Sequence, residues 1–226
     1  MSEGLIESSL CLQLLEIATD PKLREVVYRQ LGEYCHQCRN RLNSLKLSLF
    51  LALRQSSQEM RGAWAKIERD YLELEQLVDR LQTICRPMPL SRVMLPLDLL
   101  FNDRREEWSR LITDGGADLE LVHPRHRTLA SFDVERIGQA LDALVRWRAG
   151  GQGLDRVARL RWGVEAGRAT INWEEPVPLL DPALDGSNWT LPLIARVAEA
   201  HGGGYQISED SGWRLEMSWP AQLDMN

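Results

Sequence analysis

Apolar residues recur every three or four positions along two segments in the first third of the chain, and this spacing predicts two long helices. The first segment opens with ATDPKLRE, where Asp20 can cap the free amides and Pro21 suits the first helical position, and it continues to about Gln55. The second, AWAKIERDYLELEQLVDRLQTIC, ends before the two prolines of RPMP. Residues 4–18 are predicted to form a short preceding helix. The pattern therefore predicts an antiparallel helical hairpin.

A different pattern begins after residue 90, where helical segments are mixed with strands. Helices are predicted near residues 97–114, in FDVERIGQALDALVRW and in TLPLIARVAEA, which HGGG ends as a glycine C-cap. Strands are predicted in ADLELVH, in the hairpin ARLRWGVEAGRATINW and in the closing GYQIS and GWRLEMSW. This mixture is typical of an α+β layered domain. The predicted boundary lies at the prolines, with a helical domain over 1–88 and the α+β domain over 89–226.

An isolated helical hairpin cannot enclose its own apolar faces, so these faces need another pair of helices. A second copy of the chain would supply that pair and form a dimeric four-helix bundle. A partner from within the same chain would serve the same purpose. The length and width of the apolar stripe favour the homodimer.

Composition narrows the functional classes. With 44% apolar and 27% charged residues the chain is typical of soluble globular proteins, and its longest apolar run, LSLFLAL, is too short to span a bilayer. The net charge is −6. Residues 1–86 carry 12 basic and 12 acidic side chains, so all of the excess negative charge lies in residues 87–226. No basic face stands out, which argues against nucleic acid. Four cysteines, without a secretory signal in MSEGLIESS, indicate a reducing cytoplasm.

The candidate chemistry lies in EYCHQCRNRLNSLKLSLF, which places a histidine between two cysteines on the first helix. At about 100° per residue, His36 lies roughly 150° from the centre of the apolar stripe. Asn40, Asn43 and Arg39 lie within about 60° of His36. The histidine is therefore predicted to head a polar patch that faces solvent, and not to pack in the core. The stripe itself consists of Val27, Leu31, Cys38, Leu42, Leu45 and Leu49.

Cys35 and Cys38 have the C-x-x-C spacing of zinc sites and of thioredoxin-type redox pairs. Zinc needs four ligands, and only His123 and His126 could supplement the two cysteines. A redox pair should open a helix that follows a strand, whereas this pair lies within a helix. Both cysteines fall on the apolar stripe, so we interpret them as small core residues.

HQCRNRLNSLKLSL is similar to the histidine-box helix of two-component sensor histidine kinases, in which a phosphorylatable histidine precedes an acid, an arginine, an asparagine or threonine, and leucines. FDVERIGQALDALVRW resembles the helix that carries the nucleotide-binding asparagine of the family's GHKL-type ATPase domain. TLPLIARVAEAHGGGYQISEDSGWRLEMSWP resembles that domain's closing helix and hairpin. The resemblance covers roughly residues 20–220. It implies a histidine-bearing dimerisation hairpin followed by an ATPase-like α/β sandwich domain.

The chain departs from this family at the positions that handle ATP. Gln37 replaces the acid after the histidine, and Arg146 and Trp147 occupy the asparagine box. Glu175 stands at the adenine-reading acid, but no glycine follows it in WEEPVPLL, and DGSNWTLP replaces the glycine-rich phosphate loop. Without these provisions for phosphate and Mg²⁺, the ATPase-like domain is predicted to be degenerate and to hold no cofactor. Any Mg²⁺ is expected on a partner receiver domain.

The resemblance implies a cytoplasmic histidine phosphotransferase of a two-component phosphorelay. His36 would accept a phosphoryl group from the aspartyl phosphate of one receiver domain and pass it to another, with Gln37, Arg39 and Asn40 beside it. Response-regulator receiver domains are the expected partners, with a sensor kinase as a further candidate. Two other classes stay open: a receiver phosphatase in which Asn40 aligns a water, and a pseudokinase adaptor that transfers nothing.

Asn43, Leu47 and Phe50 form the predicted partner-binding strip on the same face as His36. A receiver domain could dock on the two apolar side chains, or a wider bundle stripe could bury them. The tryptophans of the α+β domain present a similar choice between a binding surface and core packing.

Overall fold

A computed structural model describes residues 21–55, 61–85, 88–124, 128–150, 157–176, 189–208 and 212–222. The helix predicted over 4–18, His126, and residues 177–188, which hold most of the predicted loops before the last helix, lie outside these ranges. The described residues divide into two compact units, 21–85 and 88–222, which we call the helical unit and the mixed unit. No helix among the described residues has both the length and the apolarity needed to cross a membrane.

The helical unit consists of α1 (Pro21–Gln55) and α2 (Arg61–Cys85), so both long predicted helices are confirmed. The helices run antiparallel, because Arg39 pairs with Asp79 while Lys46, farther along α1, pairs with Glu75, earlier on α2. Their shared core is small and apolar. It contains Cys35, Leu42, Tyr71 and Val78, with Leu49 and Leu81 packed against it.

α2 covers only one flank of the apolar stripe on α1. Cys35 and Leu42 are buried against α2, whereas Cys38 and Leu45, on the other flank, are exposed in the single chain. The prediction that Cys38 is a small core residue is therefore wrong for the hairpin by itself. The physical reason is that one neighbouring helix can bury only part of a stripe that is wide enough for two.

The mixed unit contains three helices and seven strands among the residues that the structure describes. In chain order they are β1 (Val93–Pro96), α3 (Leu97–Asp114), β2 (Asp118–Val122), β3 (Leu129–Phe132), α4 (Val134–Gly150), β4 (Val157–Glu165), β5 (Arg168–Glu175), α5 (Thr190–Ala200), β6 (Gly204–Ser208) and β7 (Trp213–Pro220). Five strands form a mixed sheet in the order β2-β4-β5-β7-β6, in which β2 and β4 are parallel and the other pairs are antiparallel. The predicted α+β class is confirmed.

β1 and β3 form a separate antiparallel pair that the sequence pattern did not predict. Each strand has four residues, VMLP and LASF, which is too short to show a clear alternation. β3 is also bonded on its other side, where the backbone N–H of Ser131 donates to the carbonyl oxygen of Ala221 at 2.7 Å. These strands are therefore defined by distant partners and not by their own pattern.

Tryptophans fill much of the core of the mixed unit. Their indoles belong to one continuous apolar cluster formed by the helices and the inner face of the sheet. Core packing therefore accounts for these tryptophans better than a binding surface does. The buried members of the cluster are Trp108, Trp162, Trp173, Trp213 and Trp219.

His201 is buried where α5 ends. Its Nδ1 lies 2.7 Å from the carbonyl oxygen of Val197, and its Nε2 accepts the backbone N–H of Asp133 at 3.0 Å. An accepting Nε2 requires the neutral ring with its proton on Nδ1. Burial lowers the pKa of His201 below its ordinary value; the charge of Arg92 acts in the same direction, while the Val197 carbonyl and Asp133 oppose it.

We expect the mixed unit to lose stability as the pH falls below 6.5, because the unfolded chain then binds a proton that folded His201 excludes. The loss should approach about 1.4 kcal/mol per pH unit until the lowered pKa is reached. Urea unfolding at several values between about pH 7.5 and 5.5 measures it, with His201→Gln as a control that lacks the titrating ring. An equal pH dependence in the two proteins would contradict the prediction.

Candidate functional site

His36 lies in the middle of α1 with an exposed side chain. Four residues later, Asn40 Nδ2 is 3.5 Å from His36 Nε2, so the two side chains are neighbours on one face of the helix. An amide N–H that faces Nε2 suits a neutral ring with its proton on Nδ1. Ser44, another turn along, donates its hydroxyl to the backbone carbonyl oxygen of Asn40 at 3.1 Å. The site therefore combines an exposed imidazole with an adjacent carboxamide.

Exposed residues continue from His36 along one face of α1. Leu47 and Phe50 are 61% and 54% exposed, so the hairpin by itself does not bury them. The face is polar around the histidine and apolar farther along the helix. We call this surface the histidine face. Its members follow one another at intervals of four and three residues, and they are His36, Asn40, Asn43, Leu47 and Phe50.

Arg39 points toward α2. Its Nη2 forms an ion pair with Asp79, and its Nη1 donates to Gln82 Oε1 at 2.9 Å. Farther along the hairpin, Lys46 Nζ lies 3.5 Å from Glu75 Oε2. We call this row of interhelical contacts, which borders the histidine face, the polar edge.

Tyr71 supports the second of these ion pairs. Its hydroxyl donates to Glu75 Oε1 at 3.1 Å, and Lys46 Nζ lies 5.4 Å from the centroid of its ring. Burial raises the pKa of Tyr71, and the hydrogen bond to Glu75 raises it further, so the phenol remains a donor at neutral pH. The polar edge is thus tied to the apolar core of the hairpin.

The predicted catalytic residues have different surroundings in the structure. Asn40 lies against the imidazole of His36, whereas the guanidinium of Arg39 contacts α2. Gln37 is exposed on α1. The reason Arg39 differs is the position of α2, which packs against the flank of the apolar stripe that lies nearest to the histidine face.

The opposite side of the hairpin carries exposed apolar residues. Leu45 on α1 and Leu74 on α2 lie at about the same level of the antiparallel pair, next to the level at which Lys46 meets Glu75. Seven-residue spacing continues the row on each helix. We call it the apolar edge; its exposed members are Cys38, Leu45, Ile67 and Leu74.

α2 carries two similarly exposed leucines that face different sides of the hairpin. Leu74 is 47% exposed and Leu72 is 42% exposed. Two helical steps separate their side chains by about 160° around the helix axis. Leu72 therefore lies on the side of Asp79 and the polar edge, whereas Leu74 belongs to the apolar edge.

In the mixed unit, Glu175, the predicted adenine-reading acid, belongs to a buried ion pair. Arg148 Nε and Nη2 donate to the two carboxylate oxygens of Glu175, each at 2.6 Å, and both side chains are 3% exposed. Trp173 Nε1 also donates to Glu175 Oε1 at 2.6 Å. The guanidinium carbon of Arg148 lies 5.2 Å and 5.5 Å from the ring centroids of Trp147 and Trp213. Both oxygens of Glu175 are thus engaged by donors of the protein itself.

Arg146 and Trp147 offer no carboxamide at the predicted asparagine box. Arg146 is exposed, and its Nη2 lies 3.8 Å from Glu107 Oε1. Trp147 meets Trp213 edge to face, with 5.5 Å between ring centroids. Within the described part of the chain, no group of three or more His, Cys, Asp or Glu side chains could hold a metal ion.

The sequence pattern did not identify three of the contact residues, Asp79, Gln82 and Arg148, or the exposed Leu72. Only Arg148 left a signal, since it continues the helical spacing of buried apolar residues in ALDALVRWR and so places a charge where the core is expected. A charge at such a position needs a buried partner of opposite sign. Asp79 and Gln82 look like ordinary polar residues of a solvated helix face.

Comparisons with known proteins identify the fold. Neither the protein-family models nor the curated proteins contain a match to this chain. The chain is similar to full-length ShkA in complex with AMPPNP, at 19% identity and a TM-score of 0.61 over 85% of this chain and 45% of ShkA. It is similar to the histidine kinase AdeS of Acinetobacter baumannii, at 14% identity and a TM-score of 0.57 over 83% of this chain and 98% of AdeS. It is also similar to the histidine kinase ThkA in complex with the response regulator protein TrrA, at 12% identity and a TM-score of 0.56 over 90% of this chain and 65% of the matched chain.

These likenesses, all below 25% identity, show the fold alone. The chain has a sensor-histidine-kinase-like architecture, and its α+β part matches a kinase ATPase-like domain. It spans 45% of the length of ShkA, the first of these structures.

Proposed function

We propose that this protein is a histidine phosphotransferase of a two-component phosphorelay, with His36 as the residue that carries the phosphoryl group. The observation that supports this most directly is the exposed imidazole whose Nε2 faces Asn40 on the histidine face. A neutral imidazole nitrogen is a competent nucleophile near neutral pH. The likeness to histidine kinases supports the same class of signalling.

In the proposed step, the lone pair of His36 Nε2 attacks the phosphorus of a receiver's aspartyl phosphate. The N–P bond forms as the acyl O–P bond breaks, and the aspartate carboxylate leaves with the bonding electrons. The phosphorylated ring is then positively charged, and it becomes neutral when Nδ1 gives up its proton to water. The contact between the Asn40 amide and His36 Nε2 has to break before the attack. The same amide N–H can then donate a hydrogen bond to a phosphoryl oxygen. Because an acyl phosphate is already activated, positioning supplies most of the catalysis.

The charge of α1 favours an anionic partner. Residues 21–55 contain seven basic and two acidic side chains, although the whole chain has a net charge of −6. This local excess of positive charge attracts a phosphorylated domain. Leu47, Phe50 and, across the polar edge, Leu72 add exposed apolar area for docking. The structure of ThkA in complex with a response regulator protein supports a response-regulator receiver as the partner.

The buried pair of Arg148 and Glu175 supports a chain that relies on an external phosphoryl donor. An acid that reads adenine needs free lone pairs, whereas Glu175 accepts hydrogen bonds from Arg148 and Trp173. We propose that the mixed unit holds no nucleotide, and that any Mg²⁺ of the reaction belongs to the partner receiver. Micromolar affinity for ATP, measured by titration calorimetry, would contradict this part of the proposal.

The apolar edge supports a homodimer. Cys38 and Leu45 on α1 and Ile67 and Leu74 on α2 expose a continuous apolar row that a second hairpin would cover. Covering it completes a four-helix bundle and removes apolar area from water. The histidine face lies on the other side of the hairpin and stays accessible in such a dimer.

A receiver phosphatase is the second candidate. Asn40 is exposed beside the position of the phosphoryl group, where its carboxamide could align a water for attack on a receiver's aspartyl phosphate. In that mechanism the imidazole of His36 is dispensable.

Phosphoryl transfer from a panel of phosphorylated receiver domains tests the proposal. The wild type is compared with His36→Ala and Asn40→Ala, and Asn102→Ala is the matched control because it removes an exposed carboxamide from α3, outside the histidine face. Acid-labile phosphate is expected on the wild type and on Asn102→Ala, and none on His36→Ala.

Each alternative function predicts a different result in the same experiment. Loss of phosphate from the receiver that depends on Asn40 but not on His36 indicates the phosphatase. Complex formation without any change in the receiver's phosphate indicates a non-catalytic adaptor, and either result overturns phosphotransfer through His36.

A further inference from the structure

Two residues of α2, Asp79 and Gln82, hold the side chain of Arg39. Nη2 of Arg39 pairs with Asp79, and Nη1 donates to Gln82 Oε1 at 2.9 Å. Gln82 is 4% exposed, and its buried amide nitrogen has no hydrogen-bond partner among the described residues. A buried donor without an acceptor costs stability that an apolar side chain would not cost. The bond to Arg39 is therefore the interaction that distinguishes Gln82 from a leucine at this position.

The two acceptors fix an otherwise mobile side chain. An arginine on a helix surface has many rotamers, but two acceptors in a fixed arrangement orient the plane of its guanidinium. Arg39 follows His36 by three residues, so their Cβ atoms are about 5–6 Å apart. Two contacts therefore hold the guanidinium of Arg39 against α2, on the flank of α1 that borders the histidine face. A charge that does not reorganise during the reaction stabilises a transition state better than a mobile one.

We infer that Asp79 and Gln82 are positioning residues for phosphoryl transfer, because they hold Arg39 as a fixed positive charge beside the group that moves to and from His36. The inference rests on the proposed function. The transferring group is anionic in both directions, so the same fixed cation assists its arrival and its departure. Asp79 and Gln82 act through Arg39 and touch no substrate.

The test measures the rate of phosphoryl transfer at a saturating concentration of phosphorylated receiver, together with the receiver's affinity. Asp79→Ala is expected to lower the rate about tenfold with the affinity unchanged, and Asp79→Glu should retain most of the rate. Arg39→Ala should lower the rate at least as far. Adding Asp79→Ala to Arg39→Ala should then have no further effect, because Asp79 acts only through Arg39.

Glu75→Ala is the matched control, because it removes the other interhelical ion pair of the polar edge, farther from His36. Its transfer rate should equal that of the wild type. An unchanged or raised rate in Asp79→Ala, additive losses in the double variant, or an equal loss in Glu75→Ala overturns the inference while labelling of the wild type still supports the proposed function. Absence of label on the wild type overturns both.

Discussion

Arg148→Met is expected to lower the free energy of unfolding of the mixed unit by about 3–5 kcal/mol. Removing the guanidinium leaves the carboxylate of Glu175 buried with one remaining donor, Trp173 Nε1. An uncompensated charge in the core costs far more than the lost side-chain packing. Urea denaturation followed by tryptophan fluorescence measures the effect, since the buried indoles around the pair report on unfolding of this unit.

Arg146→Met is the matched control for that variant. It makes the same change two positions earlier on α4, where the side chain is exposed and pairs with Glu107 at 3.8 Å. An exposed ion pair contributes about 0–1 kcal/mol, so this variant should remain close to the wild type. Equal stabilities for Arg146→Met and Arg148→Met would show that the pair of Arg148 and Glu175 is not a buried, unsolvated contact.

Leu74→Glu is expected to convert the proposed dimer into a monomer. The substitution places a carboxylate in the middle of the apolar edge, where a second copy would remove it from water without a partner. The dissociation constant of the dimer should rise by at least about tenfold. Light scattering over a dilution series measures the change, and far-ultraviolet circular dichroism checks that the helices persist.

Leu72→Glu is the control for the dimer, and it also reports on the opposite surface. Leu72 is a leucine with nearly the same exposure as Leu74, but its side chain lies on the side of the polar edge. The dimer should therefore survive, whereas phosphoryl transfer from a receiver should weaken through a higher KM. If Leu72→Glu dissociates the protein and Leu74→Glu does not, the assignment of the two edges is reversed.

Periodicity along the chain was sufficient to predict most elements of the fold. The helices around His36 and in TLPLIARVAEA, and the hairpin ARLRWGVEAGRATINW, follow from spacings of three, four and two residues that are properties of neighbouring positions. The same spacing placed His36 away from the apolar stripe, where the structure also has it. Its role in phosphoryl transfer stays a prediction.

Contacts between distant positions could not be predicted in this way. Arg39 reaches Asp79 and Gln82 over 40 and 43 positions, and Arg148 reaches Glu175 over 27. The strands β1 and β3 exist because they pair with each other, and Cys38 is exposed because α2 packs on the other flank of the stripe. Each outcome depends on which surfaces the folded chain brings together, and a helix has the same periodicity whichever flank its neighbour covers. The sequence by itself therefore determined the elements and the outward direction of His36, whereas only the tertiary structure decided which charges meet, since that choice depends on packing geometry and not on local pattern.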